Sequence, residues 1–213
     1  MQEKINNQVE IIGEITSEFT FNHRVYGENF YSFTLKVRRL SESADGIVIT
    51  LSERLIFNEN FKIGDIVQIH GQYRSYNNYN TAGNRLILTV FARTIERVTP
   101  AYNTSTNSIF LNGFICKPPI FRTTPFGREI ADTLLAVNRT YNKSDYIPCI
   151  AWGRNARFIS ELSVGTNLLI WGRIQSREYE KKLNNDEIVI KTAYEVSVNK
   201  IEIIENNKSE SKT

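Results

Sequence analysis

The chain repeats itself at a spacing of 100 residues, and this restricts its fold more than any other feature of the sequence. Val9-Glu10-Ile11-Ile12-Gly13-Glu14-Ile15 lines up with Ile109-Phe110-Leu111-Asn112-Gly113-Phe114-Ile115. The same offset sets Thr34-Leu35-Lys36-Val37-Arg38-Arg39 on Leu134-Leu135-Ala136-Val137-Asn138-Arg139, and Arg54 on Arg154. After one extra residue, Ile63-Gly64-Asp65 meets Val164-Gly165-Thr166, and Gly71-Gln72-Tyr73-Arg74-Ser75 meets Gly172-Arg173-Ile174-Gln175-Ser176. Past a hairpin that is longer in the second copy, Thr94-Ile95-Glu96-Arg97 matches Lys200-Ile201-Glu202-Ile203. The 213 residues therefore read as two copies of one small domain.

The junction, Thr99-Pro100-Ala101-Tyr102-Asn103-Thr104-Ser105-Thr106-Asn107, has the proline and small polar residues of a linker. It divides the chain into domains at 1–102 and 103–205. Residues 206–213 hold nothing apolar to bury and are expected to be disordered.

Within each unit, short alternating or β-branched runs are separated by turn residues, the pattern of an antiparallel barrel. One helix interrupts them. In the second unit Arg154 to Leu162 sets Ala156, Ile159 and Leu162 on one side, and Gly165 ends the connection. Three strands, a helix and two strands is the order of an OB-fold. The expected class is all-β: two tandem five-stranded Greek-key barrels, each with one short helix. In Tyr146-Ile147-Pro148-Cys149-Ile150-Ala151-Trp152, alternation assigns Ile147, Cys149 and Ala151 to the barrel interior and Tyr146, Pro148, Ile150 and Trp152 to its outer face.

Several function classes fall away on composition. The chain is 41% hydrophobic and 23% charged, ordinary for a globular protein, and its net charge of +3 is compatible with a polyanionic partner without demanding one. Cys116 and Cys149 lack the spacing of a zinc site or a disulfide framework. No apolar run suggests a membrane span or a leader, so a cytoplasmic, nucleoid-associated protein is expected. His23 and His70 stand alone, and Asp132, Asp145 and Asp186 are scattered, so neither catalysis nor a metal or other cofactor is expected.

The second unit resembles the bacterial single-stranded DNA-binding protein family. The resemblance rests on Leu111-Asn112-Gly113, Thr124-Pro125-Phe126-Gly127, Leu135-Ala136-Val137-Asn138-Arg139, Asp145 through Arg154, Gly165, and Trp171 through Tyr179, in the family's order over roughly residues 107–205. It implies that Tyr141, Tyr146, Trp152 and Tyr179 stack on unpaired bases, with little preference for sequence because every base has a π-face. Arg128, Arg139, Lys143, Arg154, Arg173 and Arg177, with Lys181 and Lys182, surround these rings and can neutralise phosphates. Trp171 has no assignment from the sequence. The implied role is the protection of single-stranded DNA in replication, repair or recombination. Two alternatives are an OB-fold interaction scaffold and a single-stranded RNA binder.

The first unit departs from this pattern. Opposite Tyr141, Tyr146 and Trp152 it has Ser41, Gly46 and Ser52, which leaves the homologous platform empty. It keeps Arg38, Arg39 and Arg54, and its hairpin Gln72 to Tyr79 offers Tyr73, Tyr76 and Tyr79 with Arg74. Of these, Arg74 and Tyr76 are expected to contact DNA. Two barrels per chain imply, by the same resemblance, a homodimer with four. The C-terminus, Ser209-Glu210-Ser211-Lys212-Thr213, lacks the acidic, apolar-tipped peptide by which such proteins recruit replication partners, so that route is not expected.

Overall fold

The structure, a computed structural model, describes residues 5–39, 41, 43–77, 86–99, 106–182 and 188–204. The expected domain boundary near residue 103, Tyr79, Asp186 and the tail from 206 lie outside the described residues, as do the side chains of Lys181 and Lys182.

The first half contains β1 (Asn7–Ile15), β2 (Thr20–Val25), β3 (Glu28–Arg38), β4 (Ala44–Ser52), β5 (Ile66–Asn77) and β6 (Leu86–Arg97). The second repeats them as β7 (Asn107–Ile115), β8 (Ile120–Thr123), β9 (Glu129–Asn138), β10 (Ser144–Trp152), β11 (Asn167–Lys182) and β12 (Ile188–Ile203). β1 and β2 act as one broken barrel strand: β3 pairs with β2 and then reaches β1 at Glu14↔Lys36 and Ile15↔Leu35. Each barrel closes by a parallel pairing, β4 with β6 at Ile49↔Val90 and β10 with β12 at Cys149↔Val196. This is the OB topology.

Alternation sets the core. Val9, Ile11 and Ile15 of β1, Leu35 and Val37 of β3, and Ile147, Cys149 and Ala151 of β10 are buried. Ile150 differs from expectation: although on the outer face, it is 3% exposed. It lies between Asp132 on β9 and Ser197 on β12, so strands on both sides cover it, whereas Trp152 at the strand end stays open.

The helices of the two halves also differ. In the second, α1 (Arg154–Ser160) buries Ala156 and Ile159, and Leu162 packs beyond its end. Among the described residues the first half has a 3₁₀ turn, Glu53–Leu55, in place of the expected helix. Its N-terminus is capped by Ser52 Oγ, which accepts the Arg54 N–H at 3.1 Å. Asn58 and Asn60 follow where a longer helix would continue, and asparagine favours turns over helix interiors.

The two barrels are joined through their first strands. β1 and β7 pair antiparallel, which makes one 12-stranded sheet among the described residues. Val9 lies directly opposite Ile109, its own counterpart in the repeat. A residue facing its repeat mate across an antiparallel ladder lies on a local two-fold axis, so the chain contains within itself the isologous contact of a symmetric dimer.

Candidate nucleic-acid interface

The cross-strand register fixes which side chains share the outer face of the second barrel. Trp152 opposes Ile130, which opposes Arg122; Ile150 opposes Asp132 and Ser197; Tyr146 opposes Ala136. Ser197 in turn faces Arg173 on β11, so Arg173, Arg177 and Tyr179 emerge on the same side as Tyr146 and Trp152. Tyr146 is 44% and Trp152 38% exposed. They are six residues apart on one strand, roughly 20 Å at 3.3 Å per residue, a span of several nucleotides.

Tyr141 sits at the tip of the turn between β9 and β10, closed by the Arg139 N–H donating to the Lys143 carbonyl at 2.7 Å. Its φ is 62° and that of Asn142 is 54°, so the left-handed backbone throws the ring outward, 92% exposed. Tyr179 belongs to the long strand β11, opposite Lys191, and is half-buried.

Cations surround these rings. Arg128 in the β8–β9 turn, Lys143 before β10 and Arg154 at the start of α1 are exposed and make no ion pair among the described residues. Arg177 is exposed and 3.9 Å from Glu195, whose carboxylate already accepts the Gln175 amide at 2.7 Å. A carboxylate at that distance restrains Arg177 weakly and leaves it free to meet phosphate.

Three expected contacts are placed differently. Arg139 forks onto the buried carboxylate of Asp145 and also donates to the Ser75 carbonyl of the first barrel at 3.0 Å. Arg74 reaches Asp145 at 3.3 Å and the Gln72 side chain. Burial lowers the pKa of Arg74, and the nearby Asp145 opposes that effect. Arg173 lies 3.7 Å from Asp45 in the other barrel. Arg139 and Arg74 are engaged in holding the halves together because a buried carboxylate takes the nearest strong donors, and Arg173 is held by Asp45 at longer range. Tyr76 is 38% exposed, with Arg139 5.4 Å above its ring. Tyr73, grouped with it in the sequence, is fully buried. Its phenol is pushed well up by burial and by Tyr194, Cys149 and Glu195 of the second barrel.

Trp171 packs on Phe110 at 5.2 Å beneath Lys200, on the central strands and away from the outer face of β10. Sequence reasoning missed several rings. In the first barrel, His23 stacks on Phe30, which meets Phe91 at a tilt. In the second, Phe121 and Phe126 are exposed on β8 and the turn after it. For Phe30 and Phe91 the available signal was cross-strand register rather than position along the repeat, because β3 and β6 flank β4, the strand equivalent to β10. Among the described residues no group of His, Cys, Asp and Glu could hold a metal, and no helix is long and apolar enough to cross a membrane.

Comparison with known proteins places this geometry in context. Residues 106–204, from β7 to the end of β12, match the single-strand binding protein family. Single-stranded DNA-binding protein 1 of Staphylococcus aureus (strain COL) is 39% identical over 83 residues, covering 36% of this chain and 50% of that protein. Single-stranded DNA-binding protein A of Bacillus subtilis (strain 168) is 36% identical over 83 residues, 36% of this chain and 48% of that one. The chain thus spans about half the length of the curated relatives it matches. The crystal structure of the wild-type single-stranded DNA binding protein from Thermus aquaticus superposes with a TM-score of 0.76 at 18% identity, covering 97% of this chain and 96% of that one. The fold of both barrels is therefore shared with it.

Proposed function

We propose that this protein binds single-stranded DNA, with little sequence preference, across the outer face of its second barrel, which matches the single-strand binding protein family over residues 106–204. The observation that carries the reading is the row of rings: open Tyr146 and Trp152 and half-buried Tyr179 share one face by register, and Tyr141 extends it at a hairpin tip. Flat rings spaced along a strand suit successive unpaired bases, and a duplex keeps its bases stacked inside. Arg128, Lys143, Arg154 and Arg177 supply the phosphate contacts. Arg139, Arg74 and Arg173 contribute by holding the barrels in register, and Tyr76 lies at that seam. The boundary between domains falls near residue 103.

The protein assembles as a homodimer. Outward-facing Ile12, Phe110 and Trp171 on the central strands are only half-buried in the single chain, and they offer the apolar area a second copy would cover. The role performs no chemical step and consists of covering exposed single strands during replication, repair or recombination, in the cytoplasm at the nucleoid.

Fluorescence anisotropy with labelled oligo-dT, oligo-U and a duplex tests the proposal. Tight binding to oligo-dT and weak binding to duplex is expected, with Trp152→Ala and Tyr179→Ala each costing about 1–3 kcal/mol. Equal binding to duplex, or none to any nucleic acid at low salt, would favour a protein scaffold. Preference for oligo-U would indicate RNA.

A further inference from the structure

The first barrel has Ser52 at the position of Trp152, yet the corresponding face is not bare. His23 on β2 lies flat against Phe30 on β3, with ring centroids 4.8 Å apart and 5° between the planes. Phe30 meets Phe91 on β6 at 5.6 Å and 36°. Register places this group where the second barrel carries its tryptophan. Phe30 opposes both His23 and Ser52, and Phe91 is the parallel partner of Thr50, on the same face as Ser52. The equivalent places in the second barrel hold Arg122, Ile130 and Ser197. Where one barrel has a ring on its third strand and aliphatic or polar neighbours, the other has a small residue there and rings on both flanks.

Two further observations support a binding role. The three rings remain half-exposed; exposed Arg24 follows His23 on β2, exposed Arg93 lies two residues past Phe91 on β6, and exposed Arg54, paired with Glu28 at 3.2 Å, follows β4. The hairpin that carries His23 turns at Tyr26, which is fully exposed at φ 48° beside Gly27 at φ 84°. That left-handed backbone is one L side chains avoid, and asparagine or glycine would make the turn more easily. A bulky ring there, fully open to solvent, suits an external partner better than it suits folding.

We infer that His23, Phe30 and Phe91 form a second stacking site on the first barrel for the unpaired bases of a single strand, with Arg24, Arg54 and Arg93 beside its phosphates. This rests on the second barrel being a single-strand binder. One chain then holds a strand at two faces related by its internal two-fold axis, although the residues homologous to the second site are missing from the first.

The test uses the full chain and a dT octamer, within the roughly 4–16 nucleotides that one OB-fold covers. With 5-iodouracil in place of thymine, photo-cross-links mapped by mass spectrometry should fall in peptides containing His23, Phe30 or Phe91 as well as in the peptide containing Trp152. The parent chain should bind two octamers, and His23→Ala with Phe91→Leu should bind one. The cross-links need no substitution, so they decide the matter even if the double variant folds poorly. Cross-links confined to the second barrel, with one octamer per chain, would overturn this inference and leave the second-barrel reading intact. No binding at all would overturn both.

Discussion

Asp145 of the second barrel accepts the backbone N–H of Ser75 in the first, at 2.6 Å from Oδ1. The same bond recurs in reverse, with Asp45 Oδ1 accepting the N–H of Ser176 at 2.7 Å. Around each carboxylate an arginine six residues earlier closes the cluster: Arg39 on Asp45 at 2.6 Å, and Arg139 on Asp145. Each arginine also donates across the seam, to the carbonyl of Ser176 or Ser75. A long hairpin strand from one barrel, at Ser75 or Ser176, is thus fastened to the start of a strand in the other, twice, about one axis. Both carboxylates are fully buried.

Removing one of these carboxylates should therefore be severe. Asp145→Ala leaves Arg139, Arg74 and the Ser75 N–H without their acceptor in a buried place, a class of change that costs about 3–5 kcal/mol. Urea unfolding monitored by circular dichroism measures it. A loss below about 1 kcal/mol would show that the cluster is relaxed or solvated.

The register shifts between His70 and Gly71 on β5 and between Trp171 and Gly172 on β11 are equally constrained. A Cβ at Gly71 would come within 2.3 Å of the Phe91 carbonyl oxygen, and at Gly172 within 2.3 Å of that of Ser197. Backbone cannot retreat from such contacts cheaply, so Gly71→Ala and Gly172→Ala should each destabilise by about 1–3 kcal/mol or more. Thermal unfolding of the two variants checks the figure, and unchanged transitions would contradict it.

Much of this was legible beforehand. The offset of 100 residues and the alternating strands gave two OB barrels and placed Tyr146 and Trp152 outside. The seam was also written in the repeat, because Arg39 with Asp45 and Arg139 with Asp145 keep both identity and spacing. Read singly, Arg139 looked like a phosphate contact; only the fold shows that its partner is buried. The rings of the first barrel escaped notice for a related reason. Aligning copies along the chain compares each residue with its homologue, whereas Phe30 replaces Trp152 from the adjacent strand, a relation set by pairing.

Acid should weaken the first barrel through two carboxylates. Asp65 is held below the usual range by the Lys62 N–H and by Arg97, and Glu53 by the backbone and side-chain amides of Asn29. A depressed pKa contributes stability that is complete above the unfolded-state value and lost as pH falls through the folded one, so the loss lies below about pH 4. Carbon-13 carboxyl shifts followed during acid titration should show both groups titrating late. Ordinary values for Asp65 and Glu53 would contradict these bonds.

The two thiols should differ in access. Burial pushes the Cys149 thiol far up and keeps it inside the second barrel, whereas Cys116 is half-exposed. A disulfide reagent should modify Cys116 in the native protein and Cys149 only on unfolding. Reaction of both at equal rates would show that the barrel opens readily.

Binding should weaken with salt in proportion to the phosphates neutralised. For single strands the slope of log K against log salt is about −0.7 per contact, so Arg154→Ala or Arg128→Ala should each flatten it by about 0.7. Arg139→Ala should act mainly on stability, since its charge is already taken by Asp145. A salt slope unaltered by Arg128→Ala and Arg154→Ala together would remove them from the DNA path.

The two tryptophans allow the most direct test. Trp152 is open on the outer face, and Trp171 lies under Lys200 against Phe110. In Trp171→Phe the remaining tryptophan is Trp152, and oligo-dT should quench its fluorescence strongly and saturably at low salt. In Trp152→Phe the response should nearly vanish. Quenching that survives in Trp152→Phe and is lost in Trp171→Phe would place the strand elsewhere and contradict the account.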